Sequence, residues 1–478
     1  VVMALFIAGL IGTYAIYVGL PQGFIPEEDQ GYLPVILEAP PGVSLSYTAE
    51  VGEQVIKIVK SLPNSEKNIE SVVALTGFSF DGASSNKAII FVKLSDWEHR
   101  SGAENSVFGI IQQLNRRFAQ EITQARVFAV NAPAVDGLSS FGGLEMYIQD
   151  RQSRGMDALI DNTQRIIAAA NQRPEIARAF TTFTFNGPML QVEIDREKVK
   201  AQNIPFNEVL RTVQTYFGSN FVNQFVLDGR LYRVFVQADA KDRANPQDLD
   251  RLYVRSLNGG LVQLSNIVTA TPITYPPILT NYNTYPAVKI NISPAQGYSS
   301  GQAIQIMEEV AETTLQPGFG FEWTNTAFEE RASAGAAPIV FGLAFIIAFL
   351  VLAGQYESYI DPVIIMLTVP LSILGALGMI WFRATFVQTS GIWPILDNNM
   401  YAQVALVMLI GLAAKNAILI VEFANQSVAA GMTITKAAVH AASERFRAIL
   451  MTAISGLVGF APLLSASGVG SVSRWSLG

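Results

Sequence analysis

Ile410-Gly-Leu-Ala-Ala-Lys-Asn-Ala-Ile-Leu-Ile-Val-Glu-Phe423 sets one lysine, Lys415, inside an otherwise apolar helix-forming run. About Met400 to Ala424 is long enough to cross a bilayer, which takes about 20 mostly apolar residues. A charge near the centre of such a helix costs about 2.5–3.5 kcal/mol on insertion scales. It normally faces the bundle interior and has a partner. The alternative is a lysine that snorkels to the interface. That reading is weaker, because the helix continues at least two turns beyond Lys415 before Glu422. Glu422 is on nearly the same face but about 10 Å along the axis, too far for a direct pair. No other apolar run carries a central acid, so the partner carboxylates are expected outside this chain. A lysine held against carboxylates is a proton-coupling device. Protonating the acids releases the lysine and lets helices shift.

Working outward, four more apolar runs have the same character: Val1 to about Leu20, Ala332–Tyr356, Pro362–Phe382, and about Ala448–Ser465. Helices this long and apolar on every face are seldom cores of soluble proteins. Of the 478 residues only 15% are charged, against about 25% in a typical soluble protein. Val1–Pro26 has no charge and lacks a basic n-region, so it reads as the end of a membrane helix begun upstream, not a signal peptide. Lys436, Arg445 and Arg447 against Glu444, between the last two runs, predict a cytoplasmic loop. That places residues 21–331 on the opposite face. The net charge of −7 comes without any basic, aromatic-interleaved stripe, so nucleic acid is not an expected partner. There are no cysteines and only two histidines, His99 and His440. These exclude thiolate sites and disfavour a histidine metal centre. No catalytic triad, metal cluster or phosphate loop is legible, so neither an enzyme nor a cofactor is expected.

Residues 21–331 have soluble character. Strand-like Tyr32–Glu38 is followed by a helical stripe of Val51, Val55, Ile58, Val59 and Leu62. Strand-like Ile69–Leu75 and Ala88–Leu94 come next. A second stripe follows, of Val107, Ile110, Ile111, Leu114 and Phe118, and then Arg126–Val130. The order β-α-β-β-α-β is the split βαβ or ferredoxin-like pattern. A second unit begins at Leu144–Gln149. It continues through helix Met156–Gln172 and strands Ala179–Phe183 and Leu190–Ile194. It ends with strand Ala287–Ile292, helix Gln302–Leu315 and strand Gly320–Trp323. Between its halves an insert of about 80 residues holds a hairpin, Asn220–Val226 with Leu231–Gln237, turned at Leu227-Asp-Gly-Arg230.

Two further features carry chemistry. Arg445 and Thr452 are seven residues apart and share a helix face near the fifth run. They extend a polar path from Lys415, or else anchor the helix and bond its own backbone. Gly77-Phe-Ser-Phe-Asp-Gly82 is a glycine-bounded loop between two strands, able to flex and to line an apolar pocket, or else simple core packing.

At these motifs the chain resembles the resistance-nodulation-division transporters. Leu20-Pro-Gln-Gly-Phe-Ile-Pro-Glu-Glu-Asp-Gln-Gly31, Gln355-Tyr-Glu-Ser358, Gly411–Phe423 and Arg445-Phe-Arg-Ala-Ile-Leu-Met-Thr452 look like that superfamily. The nearest branch is hydrophobe/amphiphile efflux of the acriflavine-resistance-B type, in its carboxy-terminal half. The resemblance implies an α-helical transmembrane bundle plus an α+β periplasmic region of tandem ferredoxin-like porter subdomains with an inserted docking subdomain. Residues 1–20 would end the seventh membrane helix. Helices eight to eleven would span 332–356, 360–383, 399–424 and 446–466. The first carboxy-side porter subdomain would cover 28–150. The second would cover 151–196 and 276–331, and the docking subdomain 197–275.

The function implied is proton-motive-force-driven export of hydrophobic and amphiphilic compounds from a Gram-negative inner membrane. The implied partners are a periplasmic adaptor, an outer-membrane channel of the TolC type, and two further copies in a homotrimer. Lys415 matches the family's intramembrane lysine, with Asn416 beside it, and Arg445 and Thr452 match further proton-relay positions. Phe78 and Phe80, between Gly77 and Gly82, match a switch loop between drug pockets. Phe91 and Leu75 match pocket-wall positions. Val73, Leu144 and Met146 stand where well-studied members carry phenylalanines, and Ile148 where they carry leucine. The pocket would stay apolar with less aromatic area. Two alternatives remain: a heavy-metal exporter of the same superfamily, and a membrane-anchored binding or sensor protein without transport. Only Met146 and Met156 lie close together as soft ligands for the first. The second has no use for a buried lysine.

Overall fold

Strand and helix periods alternate twice before the long apolar runs, and each alternation folds into an open-faced sheet with two helices on one side. In the computed structural model, residues 2–80, 82–100, 102–333, 336–387 and 396–478 are described. The expectations at Val1, at Asp81 in the glycine-bounded stretch, and at 334–335 in the second apolar run lie outside them. The chain divides into two compact units, one of 1–183 with 279–478 and one of 184–278.

In the larger unit, helix α1 (Val2–Gly19) precedes the first sheet. That sheet is built from β1 (Tyr32–Glu38), α2 (Leu45–Lys60), β2 (Ile69–Ser79), β3 (Gly82–Leu94), α3 (Val107–Glu121) and β4 (Arg126–Ala129). Its strand order is β2-β3-β1-β4, antiparallel throughout, as a β-α-β-β-α-β chain requires. Ser44 and Ser106 cap the two helices, accepting from the Tyr47 and Gly109 amides. The expected stripes are largely the buried ones: Val51, Val55, Ile58 and Val59 on α2 with Leu62 just past its end, and Val107, Ile110, Leu114 and Phe118 on α3, where Ile111 is only half-buried. They pack on Leu33, Val35 and Leu37 of β1 and Ala88, Ile90, Val92 and Leu94 of β3. Alternation then sends Pro34, Ile36, Ile89 and Phe91 to the other face.

The second sheet uses β5 (Leu144–Asp150), α4 (Met156–Ala170) and β6 (Ile176–Phe180), then, after the smaller unit, β7 (Tyr285–Pro294), α5 (Ser300–Thr314) and β8 (Phe319–Thr324). β7 lies between β6 and β5, and β8 completes the far edge. This is the order of the first sheet repeated. Two expectations are corrected here. β5 stands in the middle of this sheet, so a division at residue 150 falls one strand too late. The strand expected at Leu190–Ile194 does not join it. Gly187–Ile194 pairs along its length with Val268–Tyr275, and both belong to the smaller unit. Alternating apolar residues define a strand but not its partner.

The smaller unit has its own core of Val199, Val209, Leu249, Val254, Leu264 and Ile267. Its hairpin Asn220–Leu227 with Arg230–Val236 forms where expected. Asp228 and Gly229 both have positive φ, 51° and 73°, as a two-residue hairpin turn of the favoured twist demands.

The apolar helices are α6 (Ala336–Tyr356), α7 (Ile360–Met366), α8 (Val369–Phe382), α9 (Met400–Ala429) and α10 (Ile434–Leu464). Among the described residues, four stretches are long and apolar enough to cross a membrane: Pro338–Tyr356, Ile360–Phe386, Met400–Ala429 and Ile434–Leu464. The third expected span is broken at Leu367–Thr368, because Pro370 has no amide to give the carbonyl of Met366. Lys436, Glu444, Arg445 and Arg447 lie inside α10, not in a loop. The connection shortens to Ala430–Thr433, turning on Gly431 at φ 97°. Nothing in 434–445 breaks a helix, so it winds outward past the apolar length.

Candidate functional site

The sheet face away from α2 and α3 carries the first candidate site. Register places Val73 beside Phe91 and Phe91 beside Pro34, then Leu75 beside Ile89 and Ile89 beside Ile36. The inner part of this face is covered. Ile36, Phe128 and Val130 pack under Phe141 and Phe180, which come from beyond the first sheet. The outer part is open. Val73 is 54% exposed, and Leu75, Phe78 and Phe80 each exceed 40%. Phe78 meets Phe80 edge-on at 6.4 Å, and Phe80 meets Phe141 at 5.0 Å. An aromatic file therefore runs from the open edge into the covered core, through Phe180 to Phe128.

The stretch expected to flex between Gly77 and Gly82 is the end of a hairpin. Ser79 pairs with Gly82, and the register slips at Gly77, which takes φ 83° in a bulge. A Cβ there would also meet Leu45 Cδ1 at 2.9 Å. The bulge keeps Phe78 and Phe80 together on the open side.

An open cavity of about 440 Å³ lies on this face, with Phe80, Phe91, Pro34, Tyr32, Pro133 and Leu138 among its walls. Asp136 supplies its charge. Burial raises the Tyr32 phenol above its usual range, and the nearby Asp136 carboxylate adds to the rise. Asn325 and Ser140 close the back. Both are held by buried Glu145, and Lys289 stands 3.9 Å from that carboxylate.

Leu144, Met146 and Ile148, expected in the pocket, are buried at 3% exposure or less. They pair in register with Ile292, Ile290 and Val288, which are equally buried. They build the second sheet's core and offer a ligand no surface.

Lys415 is the sixteenth residue of the 30-residue α9, about 22 Å from either end. Ala414 and Ala417 turn inward beside it, but Lys415 is exposed on this chain's surface, and Asn416 is half-buried. Among the described residues it has no ion pair. Arg445 and Thr452 do not join it directly. The Arg445 guanidinium stacks on Phe423 at 4.9 Å, with its Nε buried and unbonded. Thr452 Oγ1 donates to the Ile449 carbonyl at 2.9 Å, the backbone bond common for threonine in a helix. Phe423 and His440 face each other at 5.8 Å across α9 and α10. Eight residues back from that level is Lys415, and eight forward is Ala448. Thr452 is thus about one turn from the height of Lys415.

One polar constellation was not legible in the sequence. Asp397, just before α9, is buried, and its charge reaches the half-buried Glu330 of the helix Asn325–Ser333. Burial pushes Glu330 up to about 7, with Asp397 adding to the rise and Ser300, donating at 2.9 Å, opposing it. Burial likewise pushes Asp397 up to about 6 against the bond from Asn399 at 3.0 Å. Gly23 makes room: a Cβ there would lie 1.9 Å from Asp397 Oδ2. Asn398 is 1% exposed with both side-chain polar atoms unbonded. The two acids are 67 positions apart, so no spacing rule joins them.

The profile of the AcrB/AcrD/AcrF family matches residues 1–478. Multidrug export protein AcrF of Escherichia coli (strain K12) is 36% identical over 482 residues, covering 100% of this chain and 45% of AcrF. Multidrug/solvent efflux pump membrane transporter MepB of Pseudomonas putida is 34% identical, covering 99% of this chain and 43% of MepB. Solvent-resistant pump membrane transporter SrpB of the same organism is 35% identical, covering 98% and 43%. The chain thus spans less than half the length of these relatives. With its motifs, apolar helices and family profile in agreement along the whole length, the chain belongs to the AcrB/AcrD/AcrF family of resistance-nodulation-division transporters.

Proposed function

We propose that this chain belongs to a proton-driven exporter of hydrophobic and amphiphilic compounds. The names of its relatives, multidrug export and solvent efflux, support that substrate class. The first sheet with residues 28–143, and the second with 144–183 and 279–331, would be porter subdomains. The unit of 184–278 would be the docking subdomain, facing an outer-membrane channel. A periplasmic adaptor and two further copies would complete a tripartite assembly on a Gram-negative inner membrane. Substrate would lie on the open apolar face at Phe78, Phe80, Phe91, Val73 and Leu75. Release would be driven by protonation near Lys415, which biases the equilibrium between conformations.

The single observation that carries this reading is Lys415: one cation in mid-helix, exposed on this chain and without an ion pair among the described residues. Leaving it so in lipid costs several kcal/mol, so the rest of the assembly is expected to supply carboxylates against it. Lys415→Ala in the intact transporter is expected to abolish export, measured as loss of drug resistance and of uncoupler-sensitive dye efflux, with trimer assembly retained. Normal resistance in that variant would defeat the coupling role.

A further inference from the structure

The cavity on the open face sets apolar walls beside the neutral polar Tyr32, Ser139, Ser140 and Asn325, and among the described residues Asp136 is its one charged wall residue. Phe80, Phe91, Pro34, Pro133 and Leu138 offer contact area to any hydrophobic compound and no sign preference. The aromatic faces add a preference of one sign only, since a ring's π-face attracts cations. Asp136 is exposed at the mouth, and among the described residues no cation pairs with it. The ionisable group nearest to it in effect is the Tyr32 phenol, which is neutral and does not cancel its charge. The other nearby acid, Glu145, is closed off. It is 3% exposed, spends its oxygens on Ser140 and Asn325, and has Lys289 beside it.

We infer that Asp136 is a specificity-determining residue: it makes this groove favour amphiphiles carrying a positive charge over neutral and anionic ones. This rests on the reading of the groove as the substrate site. A cationic amphiphile would lay its apolar body along Phe80 and Phe91 and set its charged head beside Asp136. An anionic amphiphile of the same size would meet the carboxylate without a counter-charge, since none is provided on this wall.

The test uses the full-length transporter in cells, with its membrane abundance checked for each variant. The probes are a lipophilic organic cation (ethidium or a long-chain quaternary ammonium), a neutral compound (chloramphenicol) and an anionic detergent (dodecyl sulfate). Asp136→Asn keeps the shape but removes the charge. It is expected to lower efflux of the cations about tenfold, the effect of about 1.4 kcal/mol, and to leave the neutral probe unchanged. Asp136→Lys is expected to lower cation efflux further and to raise that of the anion. A parallel Phe80→Ala/Phe91→Ala variant is expected to lower efflux of all three classes. If that variant is silent, the groove is not the substrate site and the inference falls with it. If it acts on every class while Asp136→Asn acts on none, or on all equally, the groove stands and the role of Asp136 is overturned.

Discussion

At the scale of single residues, the energetic cost of an ionisable group depends on what surrounds it. Lys415 was conspicuous in sequence because its neighbours along the chain are its neighbours in space: a helix turn surrounds it with apolar side chains. Glu330 and Asp397 were not conspicuous, because each looks ordinary locally and becomes costly only when the fold withdraws it from water within reach of the other's charge. Their elevated proton affinity has a signed consequence. A carboxyl that binds its proton more tightly folded than unfolded contributes stability below its unfolded value and loses it as pH rises through the folded one. With Glu330 at about 7 and Asp397 at about 6, stability is expected to fall from about pH 4.5 to about pH 7.5. Glu330→Gln in the full-length protein is expected to flatten that slope and raise the thermal midpoint at about pH 8. An unchanged slope in thermal scans from about pH 5 to 8 would refute this account.

At the scale of elements, the same apolar pattern serves two purposes that only packing tells apart. Val73 and Leu75 on β2 alternate outward to an open face. Leu144, Met146 and Ile148 on β5 alternate inward under helices. Both sets read as apolar strand positions, and resemblance placed both in a pocket. β5 is a central strand flanked by β7 and β8, so its helix-facing side has no route to solvent. Met146→Ala is therefore expected to act on stability, by about 2–5 kcal/mol, and to lower export of all substrates in proportion to lost protein. A thermal-shift series with residual efflux normalised to folded protein would check this. A changed substrate spectrum at unchanged stability would return Met146 to the pocket. The helices show a related lesson. Apolar content located the spans well, but their ends moved, because α10 winds through charged residues that a hydropathy window stops at.

At the scale of the whole molecule, the two sheets of the larger unit repeat one topology and meet through aromatic rings. Phe141, in the segment joining them, is 3% exposed and lies between Phe80 and Phe180. Removing it would leave a void between the first sheet's covered face and the second sheet, where both repeats depend on it. Phe141→Ala is expected to cost about 3–5 kcal/mol. It should raise hydrogen exchange in β4 and β6 more than in the helices of either repeat. The same protection pattern in Phe141→Ala and in the unaltered protein would show that the rings are not what joins the repeats.

By itself the sequence determined the class of protein: long apolar helices, two β-α-β-β-α-β alternations, a hairpin turned by Asp228-Gly229, and a lysine where lipid tolerates none without a partner. These follow from interactions between residues a few positions apart, whose periods are written directly in the chain. Tertiary structure alone decided which strand joins which sheet, which apolar residues stay open, and which acids come close enough to feel each other's charge. Those outcomes depend on contacts between residues far apart in the chain, and no local period encodes which distant surfaces will exclude water from each other.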